Sequence, residues 1–331
     1  MGKKKLNKKI KNTLVFLLLV ILCGCGKSVE KISEQRFLFG TYINIVIYSN
    51  DKSQAKKSIN LAFEKISDID ERYNSKNKNS AIYKINTSTN KIVNIDSEFQ
   101  DILKKIKEVY EESDRKYDVT ISPLLELWGF GQKARTAVPT KQEIKKALEF
   151  VDFSNVIVEN NHLKYLAKTK EMDTGSFLKG YAILKAKELL EKRGEKHVFI
   201  TSISSITTIG TKIKNKPWRV GIQDPFDLSK TLGIVELSGK SLGVSGDYQT
   251  YIEINGKKYH HIMDNKTGYP IRDKKLVAVI CSSSFLADMY STALFLMPEN
   301  KAFQLAKEKG LEVLIVKRDG TISKTENFIL K

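Results

Sequence analysis

Two apolar rhythms share this chain without settling into a repeating order, and that most narrows what it can fold into. From Phe37 to Tyr48, FLFGTYINIVIY, apolar side chains alternate as on a half-buried strand. Between residues 51 and 72, Ile59, Ala62, Phe63, Ile66 and Ile69 recur at helical spacing. NSKNKNS then reads as a loop. Ser97-Glu98-Phe99-Gln100 reads as a capping box, opening a helix that turns Phe99, Ile102, Leu103, Ile106 and Val109 inward. Thr140 to Glu143 repeats that signal for a short helix. Residues 150–167 predict a hairpin turning at Asn160-Asn161, and residues 177–193 a helix stopped by Gly194. Strand-like segments run from His197 to Ile262 and from Leu276 to Cys281. Helices follow over about 284–297 and 299–309, and a hairpin turns at Asp319-Gly320. Because no regular βαβ beat emerges, the expected class is α+β: a single large domain of mixed, largely antiparallel sheets with packed helices.

The ends and the charge set the address. MGKKKLNKKIKN is basic, TLVFLLLVIL is apolar, and CGCGKS is small and polar. That order makes a secretory signal, and ten apolar residues are too few to span a bilayer. Leu22-Cys23-Gly24-Cys25 resembles a bacterial lipobox, with Cys25 lipidated and becoming the mature N-terminus. The expected division is a signal peptide over 1–24, a tether over 25–36 and one domain over 37–331. The formal charge is +18, and the first 24 residues hold six lysines and no acid, leaving +12 for the mature chain. Such a surface favours an anionic bilayer or an anionic ligand. Export and the lack of any nucleic-acid motif argue against nucleic acid. With Cys23 and the lipidated Cys25 discounted, only Cys281 remains, which excludes an internal disulfide and a cysteine-based zinc site. Within VAVICSSS it reads as a small core residue.

The chemistry concentrates in a few segments. SGDYQTYIEINGKKYHHIMDNKTGYP, from Ser245 to Pro270, holds two of the chain's four histidines. In ADMYSTALF, Asp288 and Thr292 stand four apart and share one helix face. Two readings fit that spacing: a core helix with two hydrogen-bonded polar residues, or a carboxylate and hydroxyl that hold Mg²⁺ beside a phosphate. KYDVTISPLLELWGF, from Lys116 to Phe130, mixes aromatics with a proline. DTGSFLKGY, from Asp173 to Tyr181, brings a helix start next to Lys179, a sound anion site. WRVGIQDP and Phe39-Gly40-Thr41 complete the set. His162 and His197 read as structural, and Trp128 and Trp218 as core.

Taken in order, these segments resemble the ApbE family of flavin transferases, the FAD:protein FMN transferases. The family pattern runs roughly MGT, FDVTVGPL with WGFG, DLGGIAKGYA, WxVGIQDP, TSGDY, HIIDPxTGxP and ADxxxT. The resemblance covers about Phe37 to Met297. It implies an enzyme that splits FAD, attaches FMN to a threonine hydroxyl of an acceptor protein and releases AMP. It implies Mg²⁺ held by Asp288, Thr292 and the carbonyl of Ser176. The implied FAD contacts are Phe39, Lys116, Tyr117, Asp118, Asp173, Lys179 and Met263. His261 falls on the family's histidine and is the expected base for the incoming hydroxyl, with Asp264 orienting it. Acceptors in the family are flavin-bearing subunits of membrane redox pumps and exported flavoproteins, which fits a lipid-anchored protein on the extracytoplasmic face of the cell membrane.

Several positions depart from that pattern. Phe39 replaces methionine, DTGSFLKG replaces DLGGIAKG, and Asn265 replaces proline. Thr201-Ser202-Ile203-Ser204-Ser205-Ile206 stands where the family carries a glycine pair, and Lys76 takes the place of a flavin-contacting tyrosine. Two other functions therefore compete: a Mg²⁺-dependent FAD pyrophosphatase yielding FMN and AMP, and a non-catalytic FAD-binding lipoprotein.

The address is testable. Cys25→Ala should release or mislocalise the protein in cell fractionation. A variant that stays in the membrane with an intact diacyl modification would refute the lipobox.

Overall fold

The computed structural model describes residues 28–88, 92–131, 135–169 and 171–331. The signal segment and Cys25 lie outside the described residues.

The chain opens with a hairpin. β1 (Glu30–Leu38) pairs antiparallel with β2 (Thr41–Ser49) along its whole length. The turn is Phe39-Gly40, both in the left-handed region with φ of 54° and 70°, as a two-residue turn matched to strand twist requires. This corrects two expectations. Residues 30–36 are strand instead of tether, and FLFGTYINIVIY is two strands instead of one. EKISEQRFL looks polar because β1 is the sheet's edge and buries fully only Ile32.

α1 (Lys52–Tyr73) is capped by Asp51 and buries the predicted stripe. α2 (Ala81–Thr87) and β3 (Ile92–Asn94) follow. α3 (Ser97–Glu112) buries the predicted face, but its cap is Asp96, which accepts from Phe99 N at 2.8 Å. The expected capping box is thus one residue off. Glu98 instead takes Arg72 at 2.7 Å and the Tyr181 hydroxyl at 2.9 Å. A 3₁₀ turn at Val119–Ile121 leads into α4 (Ser122–Trp128), and α5 (Lys141–Leu148) keeps the Thr140–Glu143 capping box. β4 (Val156–Glu159) and β5 (His162–Tyr165) turn at Asn160-Asn161, as expected, and form a small sheet with β3.

α6 (Leu178–Lys192) precedes β6 (Val198–Thr201), β7 (Ser205–Ile209), β8 (Trp218–Gln223), β9 (Thr231–Leu237) and β10 (Ser241–Gly246). The hairpin of β11 (Tyr251–Ile254) and β12 (Lys257–His260) leads to β13 (Lys274–Cys281). α7 (Ser284–Leu296), α8 (Glu299–Lys309), β14 (Glu312–Lys317) and β15 (Ile322–Lys324) close the chain.

The principal sheet has eight strands in the order β1-β2-β6-β7-β10-β13-β14-β15, and every neighbouring pair is antiparallel. Alternation splits its faces. Ile43, Ile45, Val277, Val279 and Ile315 meet the helices in the main core. Leu276, Ala278, Ile280 and Leu314 face the ribbon of β8 and β9, where Trp218 stacks on Phe199. A third cluster holds Leu124, Trp128, Ile144, Tyr259 and Met263 beneath the β11–β12 hairpin. Both tryptophans are core residues, as expected. Cys281 is half-buried and unpaired, and burial pushes its thiol up to about 11, so it is not a reactive thiolate. Among the described residues no helix is long and apolar enough to cross a membrane.

Candidate functional site

The site grows from the contact between α6 and α7, where two glycines allow close approach. A Cβ on Gly180 would lie 2.4 Å from Ser284 O and 2.7 Å from Asp288 Oδ2. One on Gly243, in β10, would lie 2.4 Å from the Ala287 carbonyl. Without side chains there, α7 settles onto both α6 and the sheet, and Asp288 is buried between them. Its carboxylate accepts from Ser205 Oγ at 2.6 Å and from the Gly180 amide. Burial pushes this carboxyl up to about 7, against the opposing pull of Lys179 and those donors. A buried carboxylate that reluctant to ionise favours a cation beside it.

Further hydroxyls gather around the backbone of Asp288. Ser291 and Thr292 donate back to the Asp288 carbonyl at 2.9 and 3.4 Å. Ser245, at the end of β10, bonds Ser291 at 2.8 Å and Thr292 at 3.1 Å. Lys179, in the first turn of α6, donates to Ser204 Oγ at 3.1 Å. The Tyr117 hydroxyl reaches Ser176 Oγ at 2.9 Å. Burial raises the phenol's pKa, and the nearby charges of Asp288 and Asp173 push it the same way. Asp173 accepts from Gly175 N at 2.8 Å, which folds the loop before α6 back on itself.

His261 approaches from the β11–β12 hairpin. Its backbone amide and its Nδ1 both reach Thr250 O, at 3.2 and 3.1 Å. A carbonyl only accepts, so Nδ1 carries the proton and Nε2 keeps a lone pair. Burial lowers the imidazole's pKa, and the positive charges of Lys179 and Lys76 act in the same direction against Asp173. The ring is therefore a neutral base at neutral pH. Phe130 meets it edge-on at 6.2 Å. Asp264 does not orient His261, contrary to expectation. Its carboxylate binds Lys116 at 3.0 Å and the Lys266 amide at 2.7 Å, closing its own turn.

Comparison with known proteins fits this geometry. The model of the ApbE family matches residues 39–315. The chain belongs to the ApbE family. A protein of Haemophilus influenzae named FAD:protein FMN transferase is 27% identical over 341 residues, covering 98% of each chain. The crystal structure of the ApbE protein of Thermotoga maritima is 30% identical with a TM-score of 0.84, over 90% of this chain and 98% of that one. The apo form of the Pseudomonas stutzeri flavinyl transferase ApbE is 25% identical with a TM-score of 0.80, over 91% and 96%.

Not every residue marked by the ApbE resemblance reaches the pocket with a free side chain. Asp118 is buried and spent: it accepts from Thr120 N at 2.8 Å, Thr120 Oγ1 at 2.6 Å and Phe153 N at 3.1 Å. It fixes the turn that delivers Lys116 and Tyr117. The Met263 side chain packs in the third cluster beside Trp128. Phe39 sits at the hairpin turn with its amide on Asp70 Oδ2 at 3.1 Å. Asp288, Thr292, Ser245 and Ser205 do converge, while the Ser176 hydroxyl is bonded to Tyr117. Among the described residues no three His, Cys, Asp or Glu side chains cluster as a metal site. A cation here would rest on the Asp288 carboxylate, the Thr292 hydroxyl and oxygens from the Ser176 loop.

Sequence reasoning missed Ser205, Ser245 and Thr250 as site residues. Ser205 and Ser245 are buried polar residues in strands whose partners are apolar, a signal visible only once the strands' facing is known. Thr250 acts through its carbonyl, so its side chain announced nothing. His162 bonds Asn160 O and His197 bonds Thr211 O, and His260 is held by Ile271 O, so all three are structural.

Gly180 supplies the test of this geometry. Alanine in a helix interior ordinarily gains up to about 1 kcal/mol over glycine. Here Gly180→Ala should lower the melting temperature instead, because its methyl has no space between Ser284 and Asp288. An unchanged or raised melting temperature would mean that the contact is looser than described.

Proposed function

We propose that this protein transfers FMN from FAD to a threonine hydroxyl of an acceptor protein, with Mg²⁺, and releases AMP. The observation that carries the reading is His261: neutral, with its proton fixed on Nδ1 and Nε2 open, alongside a buried carboxylate that favours a cation. The names of the relatives agree with it.

The work of each residue follows from its placement. His261 Nε2 takes the proton as the threonine oxygen forms its bond to the FMN phosphorus. The bond from that phosphorus to the AMP oxygen breaks, and AMP leaves with the electron pair. Lys179 sits in the first turn of α6, where its charge and the positive end of the helix suit phosphoryl oxygens. Asp288 and Thr292, with the Ser176 loop, are the oxygens that would hold Mg²⁺, and their donor set suits a hard cation that keeps several waters. Bound there, the metal would neutralise charge on the pyrophosphate. Lys116 and Asp264 brace each other by an ion pair at 3.0 Å. We place the enzyme on the extracytoplasmic face, lipid-anchored through Cys25, with flavin-bearing subunits of membrane redox pumps or exported flavoproteins as acceptors.

Incubation with FAD, Mg²⁺ and a candidate acceptor, read by AMP release and acceptor mass, tests the whole reading. AMP and flavinylated acceptor should appear in equal amounts. AMP without modified acceptor points to the pyrophosphatase, and FAD binding with no AMP points to the carrier. Asp288→Asn should abolish transfer while the far-UV spectrum is unchanged; near-normal turnover would refute the metal site.

His261→Ala should retain FAD binding and lose about 10²–10⁴-fold in kcat. Only neutral His261 is a base, and burial lowers its pKa, so wild-type activity should persist below the ordinary imidazole range of about 6.5 and fail only at lower pH. At saturating Mg²⁺, an acid limb that survives in His261→Ala would assign the proton transfer elsewhere.

A further inference from the structure

The fold has a basic end opposite its pocket, and the chain enters at that end. Glu30 opens β1, and Lys52, which opens α1, pairs with it at 3.3 Å. Tyr48 N bonds His197 O, His197 Nδ1 bonds Thr211 O, and Gly239 N bonds Gly210 O. Arg193 Nε reaches Ser58. These contacts gather the first turns of α1, the last turn of α6 and the β7–β8 turn onto one surface.

Six exposed lysines mark it: Lys56, Lys57, Lys192, Lys196, Lys214 and Lys216. None of the six makes an ion pair among the described residues. The acids at this end are engaged: Glu30 with Lys52, Glu312 with Lys240, Glu191 with Lys187, and Asp51 as the α1 cap. Lys56 and Lys57 are exposed in the second turn of α1. The β7–β8 turn is rigid rather than trailing, with Lys214 and Asn215 left-handed and Lys212 bridged to Lys216.

We infer that this face docks flat on an anionic lipid bilayer. The inference rests on the lipid-anchor reading of Cys25. Four residues separate Cys25 from Glu30, so the five peptide steps between them keep the first strand within roughly 17 Å of the lipidated residue. A domain held that close must present some face to the headgroups, and the face at the point of attachment carries these six lysines. β1 then carries the chain away over roughly 30 Å to the Phe39-Gly40 turn. Likewise β6 leads from Lys196 to the Ser202–Ser205 turn beside Lys179 and Asp288. The site thus lies at the end of these strands away from the lipid, within reach of acceptors that approach from solvent or from a neighbour's exposed domain.

The test uses the full lipoprotein bound to the outside of vesicles and a membrane-impermeant amine-labelling reagent, read peptide by peptide by mass. In phosphatidylglycerol-containing vesicles, labelling of Lys56, Lys57, Lys192, Lys196, Lys214 and Lys216 should fall several-fold relative to pure phosphatidylcholine. Lys76 and Lys266, at the pocket end, should label alike in both. High salt should erase the difference, as should the combined variant Lys192→Gln, Lys196→Gln, Lys214→Gln and Lys216→Gln at the two remaining lysines. The N-terminal peptide reports separately on Cys25. Protection with an unmodified Cys25 supports the docking face and refutes the anchor. Equal labelling in both vesicle types overturns the docking face, whatever the state of Cys25.

Discussion

The buried carboxylate of Asp288 is the constraint around which this structure is arranged. Removing a carboxylate from water is expensive unless donors or a cation replace the lost hydration. The fold answers with Ser205 Oγ, the Gly180 amide and the nearby charge of Lys179. They come from two elements: Ser205 from β7, and Lys179 and Gly180 from the first turn of α6. None can be supplied unless α6 and α7 approach as closely as Gly180 and Gly243 permit. The sheet order that places β7 beside β10, and α7 across both, is therefore the geometry that a buried acid on α7 requires. The acid remains partly unpaid for in the protein alone, with its carboxyl at about 7, which makes the site receptive to a cation.

The second device is the histidine. A neutral imidazole has two tautomers, and only one leaves Nε2 available. The Thr250 carbonyl selects it, through an adjacent strand of the same hairpin. A carbonyl raises no competing charge, whereas a carboxylate partner would favour the imidazolium and blunt the base at neutral pH. Asp264, the nearest acid in the sequence, is kept from that role by Lys116 and two turn amides. Lys116 and Asp264 thus pair with each other and leave the His261 ring to the Thr250 carbonyl.

The molecule is also polar in a larger sense. Six exposed lysines without ion pairs among the described residues lie where the chain enters, while the chemistry lies at the far ends of β1 and β6. Antiparallel pairing makes this separation possible, since each hairpin returns to its starting side and sends its turns to the other.

Much of this was legible in the linear chain. Periodicity marked α1, α3, α6, α7 and α8, and the Asn160-Asn161 and Asp319-Gly320 turns fell where their residues put them, because helix stripes and left-handed turns are local properties. The chemical residue types were also visible, since Asp288, Thr292, Lys179 and His261 stand in short distinctive segments. The errors share one cause. Residues 30–36 read as a tether because an edge strand is solvated on one face, and its identity as a strand comes from β2. Asp96 rather than Ser97 caps α3 because both are good caps, and the salt bridge of Glu98 to Arg72 decides between them. Asp118 looked available until its three donors, one of them thirty-five residues away, enclosed it. The sequence alone determined which groups are present and which elements form, through spacing and side-chain chemistry. Tertiary structure decided which carboxylate is buried, which tautomer His261 holds and which acid stands free, because each depends on a partner that only the folded sheet and its crossing helices bring within hydrogen-bond distance.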